Sequence, residues 1–191
     1  MTEEQNEKAG FNLNFFKKKS SDNNPKPLNR AYVTRDGVRV TEVENDFGKT
    51  VMELFPDGVL ISRLYDKKNV VRQDYIRKRN LELVHRYDEG NVKIVEIMKL
   101  YDEHNNLART VEKMFQYHDN GKKMSEVSTE IPSGIKTFIQ YNESEVIIEK
   151  IVQRGSVKTF YNAEDKPFRR EIDRGTGGIV FEDIIEEDAN Q

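Results

Sequence analysis

From Ala31 onward, apolar and polar residues alternate in short runs broken by turn-forming residues, the period-two pattern of half-buried β-strands. "AYVTR" leads into Asp36-Gly37 and out through "VRVTEV", and "TVMELF" leads into "PDG" and out through "VLISRLY". Asp-Gly between two such runs is a strong hairpin signal, because glycine accepts the positive φ of a type I′ turn or its bulged relatives. The pattern continues to "IVFEDI" near the C-terminus, giving about fourteen strands and no helix. Residues 92–101 come closest to a helical run, but their β-branched content and hairpin flanks favour one long strand.

The connections between these runs are two to six residues long, too short for the crossovers that parallel pairing needs. The predicted fold is therefore all-β: an antiparallel meander of successive β-hairpins forming a repeat-like sheet, twisted or rolled. Pro56, Pro132 and Pro167 fall in or beside turns, as expected if proline is kept out of central ladders.

Three segments differ in texture. Residues 31–184 form the hairpin domain, and residues 185–191 an acidic tail. Residues 1–30 are rich in Asn, Lys, Ser, Glu and Pro, with too little apolar content to offset ordering entropy, and predict a flexible arm. The exception in that arm is "FNLNFF", where Phe11, Leu13, Phe15 and Phe16 are followed directly by Lys17, Lys18 and Lys19. An exposed apolar cluster of this kind calls for a covering surface, so these seven residues are the predicted partner-binding segment. Capping of the sheet by the arm itself is the alternative.

Tyr65, Tyr87, Tyr101, Tyr117, Tyr141 and Tyr161 each stand immediately before an Asp, Asn or His that opens a turn, and Phe55 before "PDG" fits the same slot. The spacings from Phe55 onward are uneven: 10, 22, 14, 16, 24 and 20 residues. An aromatic at the last strand position covers the hairpin end and packs across to its neighbour, worth about 0.2–1 kcal/mol per cross-strand pair. The following Asp or Asn bonds nearby amides and sets the turn. Seven copies indicate a repeated structural unit. His118 and Asp119 in "FQYHDNGKKM" then read as turn residues rather than acid-base groups.

The stretches "YHDNGKKMSEV", "YDEGNVKIVEI", "LFPDGVLISRLY" and, more loosely, "YDEHNNLARTV" resemble the units of MORN-like repeat proteins, particularly the bacterial antitoxin-repeat group. The resemblance covers about residues 50–165. The family's tryptophan and glycine-rich second half are missing, and many units lack their glycine. What the resemblance implies is non-enzymatic protein interaction.

Composition narrows the remaining classes. The chain is 36% hydrophobic and 34% charged, lean for a compact globule and suited to a thin, two-faced structure. Its formal charge is -3, so no global field draws it to nucleic acid or an anionic membrane. Basic clusters occur at Lys17–Lys19, Arg77–Arg79 and Arg169–Arg170, but acids of the surrounding strands interrupt every candidate stripe, which argues against nucleic-acid binding. With no cysteine, disulfides, thiolate nucleophiles and cysteine metal sites are excluded. His85, His104 and His118 show no ligand-like spacing, and "DRGTGGIV" lacks the Gly-Lys-Ser/Thr ending of a phosphate loop. No catalytic residue, metal or cofactor is predicted. The acidic N-terminal residues and the absence of a long apolar run predict a cytoplasmic chain without membrane insertion.

The function expected is a non-enzymatic protein-interaction scaffold whose arm docks on a partner. A structural subunit of a larger assembly, such as a phage or secretion particle or a homo-oligomer, is one alternative. A rolled β-barrel enclosing a small ligand is the other.

Overall fold

The computed structural model describes residues 29–184. Fourteen strands follow one another: β1 (Asn29–Val33), β2 (Arg39–Asn45), β3 (Gly48–Leu54), β4 (Leu60–Tyr65), β5 (Val71–Lys78), β6 (Leu81–Tyr87) and β7 (Lys93–Tyr101). The series continues with β8 (Leu107–Tyr117), β9 (Lys123–Ile131), β10 (Lys136–Tyr141), β11 (Ile147–Arg154), β12 (Val157–Tyr161), β13 (Pro167–Asp173) and β14 (Ile179–Asp183). A single 3-10 turn at Gly175–Gly177 lies between the last two.

All strands belong to one sheet whose order is the order of the sequence, and each pairs antiparallel with its chain neighbours. This is the predicted meander of hairpins. Every extensive contact joins consecutive strands, and β1 and β14 each have one strand neighbour among the described residues. The sheet is therefore open, and the closed barrel needed for an enclosed ligand is not formed. At about 4.8 Å per strand, the thirteen steps of the sheet extend about 60 Å along the hydrogen-bonding direction.

Eight of the connections are the same five-residue turn, opening at Thr34, Phe55, Asp66, Asp88, Asp102, His118, Asn142 and Asn162. In each, the first N–H donates to the fifth carbonyl and the fourth N–H donates to the first carbonyl. The fourth residue lies at positive φ: Gly37 (81°), Gly58 (84°) and Gly121 (80°), but also Asn69 (60°), Asn91 (62°), Asn105 (64°), Glu145 (63°) and Asp165 (62°). The side-chain oxygen of the first residue closes the turn by accepting the fifth N–H, as Asp66 does from Val70 at 3.0 Å and Asn142 from Val146 at 3.0 Å. Phe55 and His118 have no such oxygen to offer, and the third residue accepts instead, Asp57 from Val59 at 3.1 Å and Asn120 from Lys122 at 3.0 Å. The opening His and Asp of "YHDNG" are thus turn residues, as their neighbours in the repeat suggested.

The uneven tyrosine spacing has a topological cause. Successive turns alternate between the two ends of the strands, and Tyr65, Tyr87, Tyr117, Tyr141 and Tyr161 close β4, β6, β8, β10 and β12 at one end. Phe55 and Tyr101 belong to turns at the other end. Counted along the tyrosine end alone, the intervals are 22, 30, 24 and 20 residues, one hairpin each. At all six tyrosines, a β-bulge places one extra residue on the following strand: Arg72, Ile94, Ala108, Met124, Ile148 or Phe168. Bulges of this kind break strict alternation and strengthen local twist.

With one layer and two solvent-facing sides, little is enclosed. Among the described residues, Val40, Gly48, Thr110, Val111, Phe115 and Ser125 are buried, and no large side chain is fully so. Stability therefore rests on cross-strand neighbours rather than on a second packed layer.

Candidate functional surface

Residues directly opposite across the ladder share a face, so the register divides the side chains into a front and a back. The front carries Arg63, Asp74, His85, Glu96 and Lys113 opposite one another across β4 to β8. Their charges are paired locally. Arg63 lies 3.0 Å from Glu53 and 3.7 Å from Asp74, and His85 Nε2 lies 3.4 Å from Glu96. Lys93 reaches Glu96 at 2.6 Å, while Lys113 and Lys123 reach Glu126 at 3.0 and 2.8 Å.

These pairings move the titrations. Burial alone would raise the Glu126 carboxyl, but Lys123 and Lys113 outweigh it and hold it below the ordinary range, and Lys93 and His85 do the same for Glu96. Burial pushes the Tyr87 hydroxyl up to about 12, reinforced by its 2.8 Å hydrogen bond to the Asp74 carboxylate. Lysine ammonium groups also lie over the front aromatics: Lys93 and Lys123 at 5.2 and 5.1 Å from the Phe115 ring, Lys123 at 5.4 Å from Tyr141, and Lys150 at 4.7 Å from Tyr161. Neighbouring hairpins are tied at their ends as well. Tyr117 donates its hydroxyl to the Lys93 carbonyl at 2.6 Å, His118 Nε2 meets the Tyr141 carbonyl at 3.1 Å, and Arg72 bonds both Asp66 and the Asp88 carbonyl. The front is a register device whose charged groups are engaged with one another.

The back is different. Val95, Met114, Val127, Phe138, Ile151 and Phe160 stand directly opposite one another across β7 to β12. They form one unbroken apolar row, ended by Arg86 on β6 and Arg169 on β13. Five strand steps give it a length of about 24 Å. Met114 is 58% exposed and the other five are half-buried. Val127, Phe138, Ile151 and Phe160 line a shallow depression together with Lys136 and Lys158. Phe160 also lines a second depression with the bulge residues Ile148 and Phe168, which are 56% and 47% exposed. Val33, Leu54, Leu64, Ile131, Ile179 and Phe181, each more than a third exposed, occupy back positions by the same register. Solvent-exposed apolar side chains are thus concentrated on one side.

The partner-binding segment predicted from sequence, Phe11, Leu13, Phe15, Phe16, Lys17, Lys18 and Lys19, lies outside the described residues, as does the tail 185–191. The six tyrosines of the repeat lie at strand ends, five of them together on the front at the tyrosine end. Phe55 does not share their slot: it follows the end of β3 and opens the next turn, the place held by Asp66 after Tyr65. The structure does not bring the three histidines together: His85 is on the front of β6, His104 in the β7–β8 turn and His118 in the β8–β9 turn. Arg169 and Arg170 point to opposite faces, and Arg77 lies 3.7 Å from Glu82.

The apolar row escaped sequence reasoning because each strand contributes a single residue to it. Only the register aligns them. The one readable trace is a run of consecutive apolar residues beside a turn, such as Val146, Ile147 and Ile148, where a bulge interrupts alternation. No helix among the described residues is long and apolar enough to cross a membrane. No protein-family model matches the chain, and no curated protein matches its sequence.

Proposed function

We propose that this protein is a non-enzymatic protein-interaction scaffold that receives a protein partner on the back of its sheet. The observation that carries this reading is the six-strand apolar row, continuous with Ile148 and Phe168 and ended by an arginine on each side. Apolar contact centres with a charged rim are the usual anatomy of protein interfaces, and exposed contiguous apolar surface marks such sites. The partner fitting it presents an apolar strip about 24 Å long, with acidic groups positioned for Arg86, Lys136, Lys158 and Arg169. In this reading the N-terminal arm grips the same partner through Phe11, Leu13, Phe15 and Phe16. The similarity of the turn units to MORN-like repeats points to the same class of function.

The test compares the intact chain with a Met114→Glu/Phe168→Glu variant and with a chain lacking residues 1–28, which leaves β1 (Asn29–Val33) whole, each used as bait in native lysate and read by quantitative mass spectrometry. Both substituted positions are more than 45% exposed, so circular dichroism should be unchanged. The expected result is at least a tenfold loss of one or more captured proteins in the double variant, with cross-links from those proteins mapping to the back. An identical capture profile for all three baits refutes the proposal.

A further inference from the structure

Among the described residues, β1 and β14 each have one unpaired edge, and these two edges match each other. We propose that the chain joins head to tail with further copies of itself, the β14 edge of one copy pairing antiparallel with the β1 edge of the next. This goes beyond the scaffold reading and is independent of the apolar row.

Four observations converge. First, the topology permits it: strands alternate in direction along an open sheet of even strand number, so a following copy's β1 continues the alternation. Second, both edge strands are five residues long, and full overlap sets Ile179, Val180, Phe181, Glu182 and Asp183 opposite Val33, Tyr32, Ala31, Arg30 and Asn29. Third, this register satisfies the backbone. The Thr34 N–H bonds Val38 and the Ile184 N–H bonds Phe168. Alternation from those points turns the free N–H and C=O groups of Ala31 and Val33, and of Ile179, Phe181 and Asp183, toward the open edges. In the proposed register these groups face one another, and front side chains meet front side chains.

Fourth, the side chains complement. Ile179, Phe181, Val33 and Tyr32 are 58%, 53%, 64% and 49% exposed, and the pairing sets Ile179 against Val33 and Val180 against Tyr32. Glu182 falls opposite Arg30. Charged side chains on an edge strand discourage its pairing, and the discouragement is strongest where the facing edge carries the same sign. Here the two edges carry opposite charges, which disfavours β14 against β14 and selects the head-to-tail match. A heterologous contact of this type yields rings when its rotation closes and filaments when it does not.

The test is sedimentation velocity on the purified full-length chain over a hundredfold range of concentration, with circular dichroism to confirm the sheet. Average mass should rise with concentration. Arg30→Glu and Glu182→Arg should each weaken association about fivefold or more, since a favourable cross-strand charge pair becomes a like-charge pair. Mixed together, those two variants should recover growth as alternating copies, because the unchanged β14 edge of the Arg30→Glu variant meets the unchanged β1 edge of the Glu182→Arg variant and the two reversed edges are complementary as well. The double reversal in one chain should restore growth. Ala31→Pro removes an edge-facing N–H, which an edge strand tolerates, and should abolish association. A full-length chain that stays monomeric throughout overturns the proposal, including the case in which removing residues 1–28 releases association, because the arm then occupies the edge. Association unchanged in all the variants overturns it too. Met114→Glu/Phe168→Glu leaves both edges intact, so loss of partner capture without loss of self-association separates the failure of one reading from that of the other.

Discussion

Replacing Phe115 by alanine should cost about 3–5 kcal/mol, the range for truncating a packed aromatic, and should do so in a local manner. Phe115 lies near the tyrosine end of β8, the longest strand, and is only 8% exposed. Its ring is framed by the ammonium groups of Lys93 and Lys123 at 5.2 and 5.1 Å, contacts worth about 0.5–1 kcal/mol each at partly exposed sites. Those lysines keep Glu96 and Glu126 as partners after the truncation, so the cation–π terms are not simply additive with the burial term. The control is Leu54→Ala, on a strand end at 39% exposure, with an expected loss of about 1 kcal/mol or less. Urea denaturation followed by circular dichroism gives the magnitudes, and native-state hydrogen exchange gives their distribution. Because every extensive contact joins consecutive strands, lost protection should concentrate in β7 to β10 and leave β1 to β3 near their original values. A loss below about 1.5 kcal/mol, or protection falling evenly over all fourteen strands, would refute the argument that a one-layer sheet is held by neighbouring strands around a few local anchors.

Two further outcomes follow from the turns and the front face. Glu145 holds the left-handed position occupied by glycine in three sister turns. Glu145→Gly relieves about 1–2 kcal/mol of steric cost against about 0.4–1 kcal/mol of added unfolded-state entropy, so the melting temperature should rise by about 1–4 °C. A fall on scanning calorimetry contradicts the strain assignment. Tyr87 is half-ionised only at about pH 12, against an ordinary value of 10.0. Its raised folded-state pKa contributes stability that is complete below pH 10 and lost as pH rises toward about 12. The Glu42 hydrogen bond also raises Tyr32, and burial and Glu82 raise Tyr75 and Tyr101. The rise in phenolate absorbance should therefore be spread upward and should lose its latest part in Tyr87→Phe; an unchanged titration curve in that variant would exclude burial and the Asp74 hydrogen bond as the cause.

The hairpins were legible because their signals are local. Asp36-Gly37 and Asp57-Gly58 spell positive-φ turns, and each tyrosine with its following Asp or Asn marks a strand end within two residues. The fourth turn position was harder to read, since Asn69, Asn91, Asn105, Glu145 and Asp165 adopt the same conformation without glycine. There the side-chain oxygen of the opening residue and the ladder on both sides fix a backbone that the fourth residue would not choose by itself. The division into faces was not legible. Every bulge after a tyrosine shifts the alternation by one, so counting odd and even positions from β7 into β8 assigns side chains to the wrong side. The apolar row and the matched edges are relations between residues far apart in sequence, joined by register alone. The openness of the sheet likewise depends on accumulated geometry rather than on any local run.

A structure in which no strand depends on a distant one has no fixed size. Removing one hairpin, from one tyrosine to the next, would shorten the sheet by about 9.6 Å while leaving the surviving turns with the partners they already have. Gene length in such a protein acts as a ruler, and duplication or loss of a single unit would adjust the span without redesigning what remains.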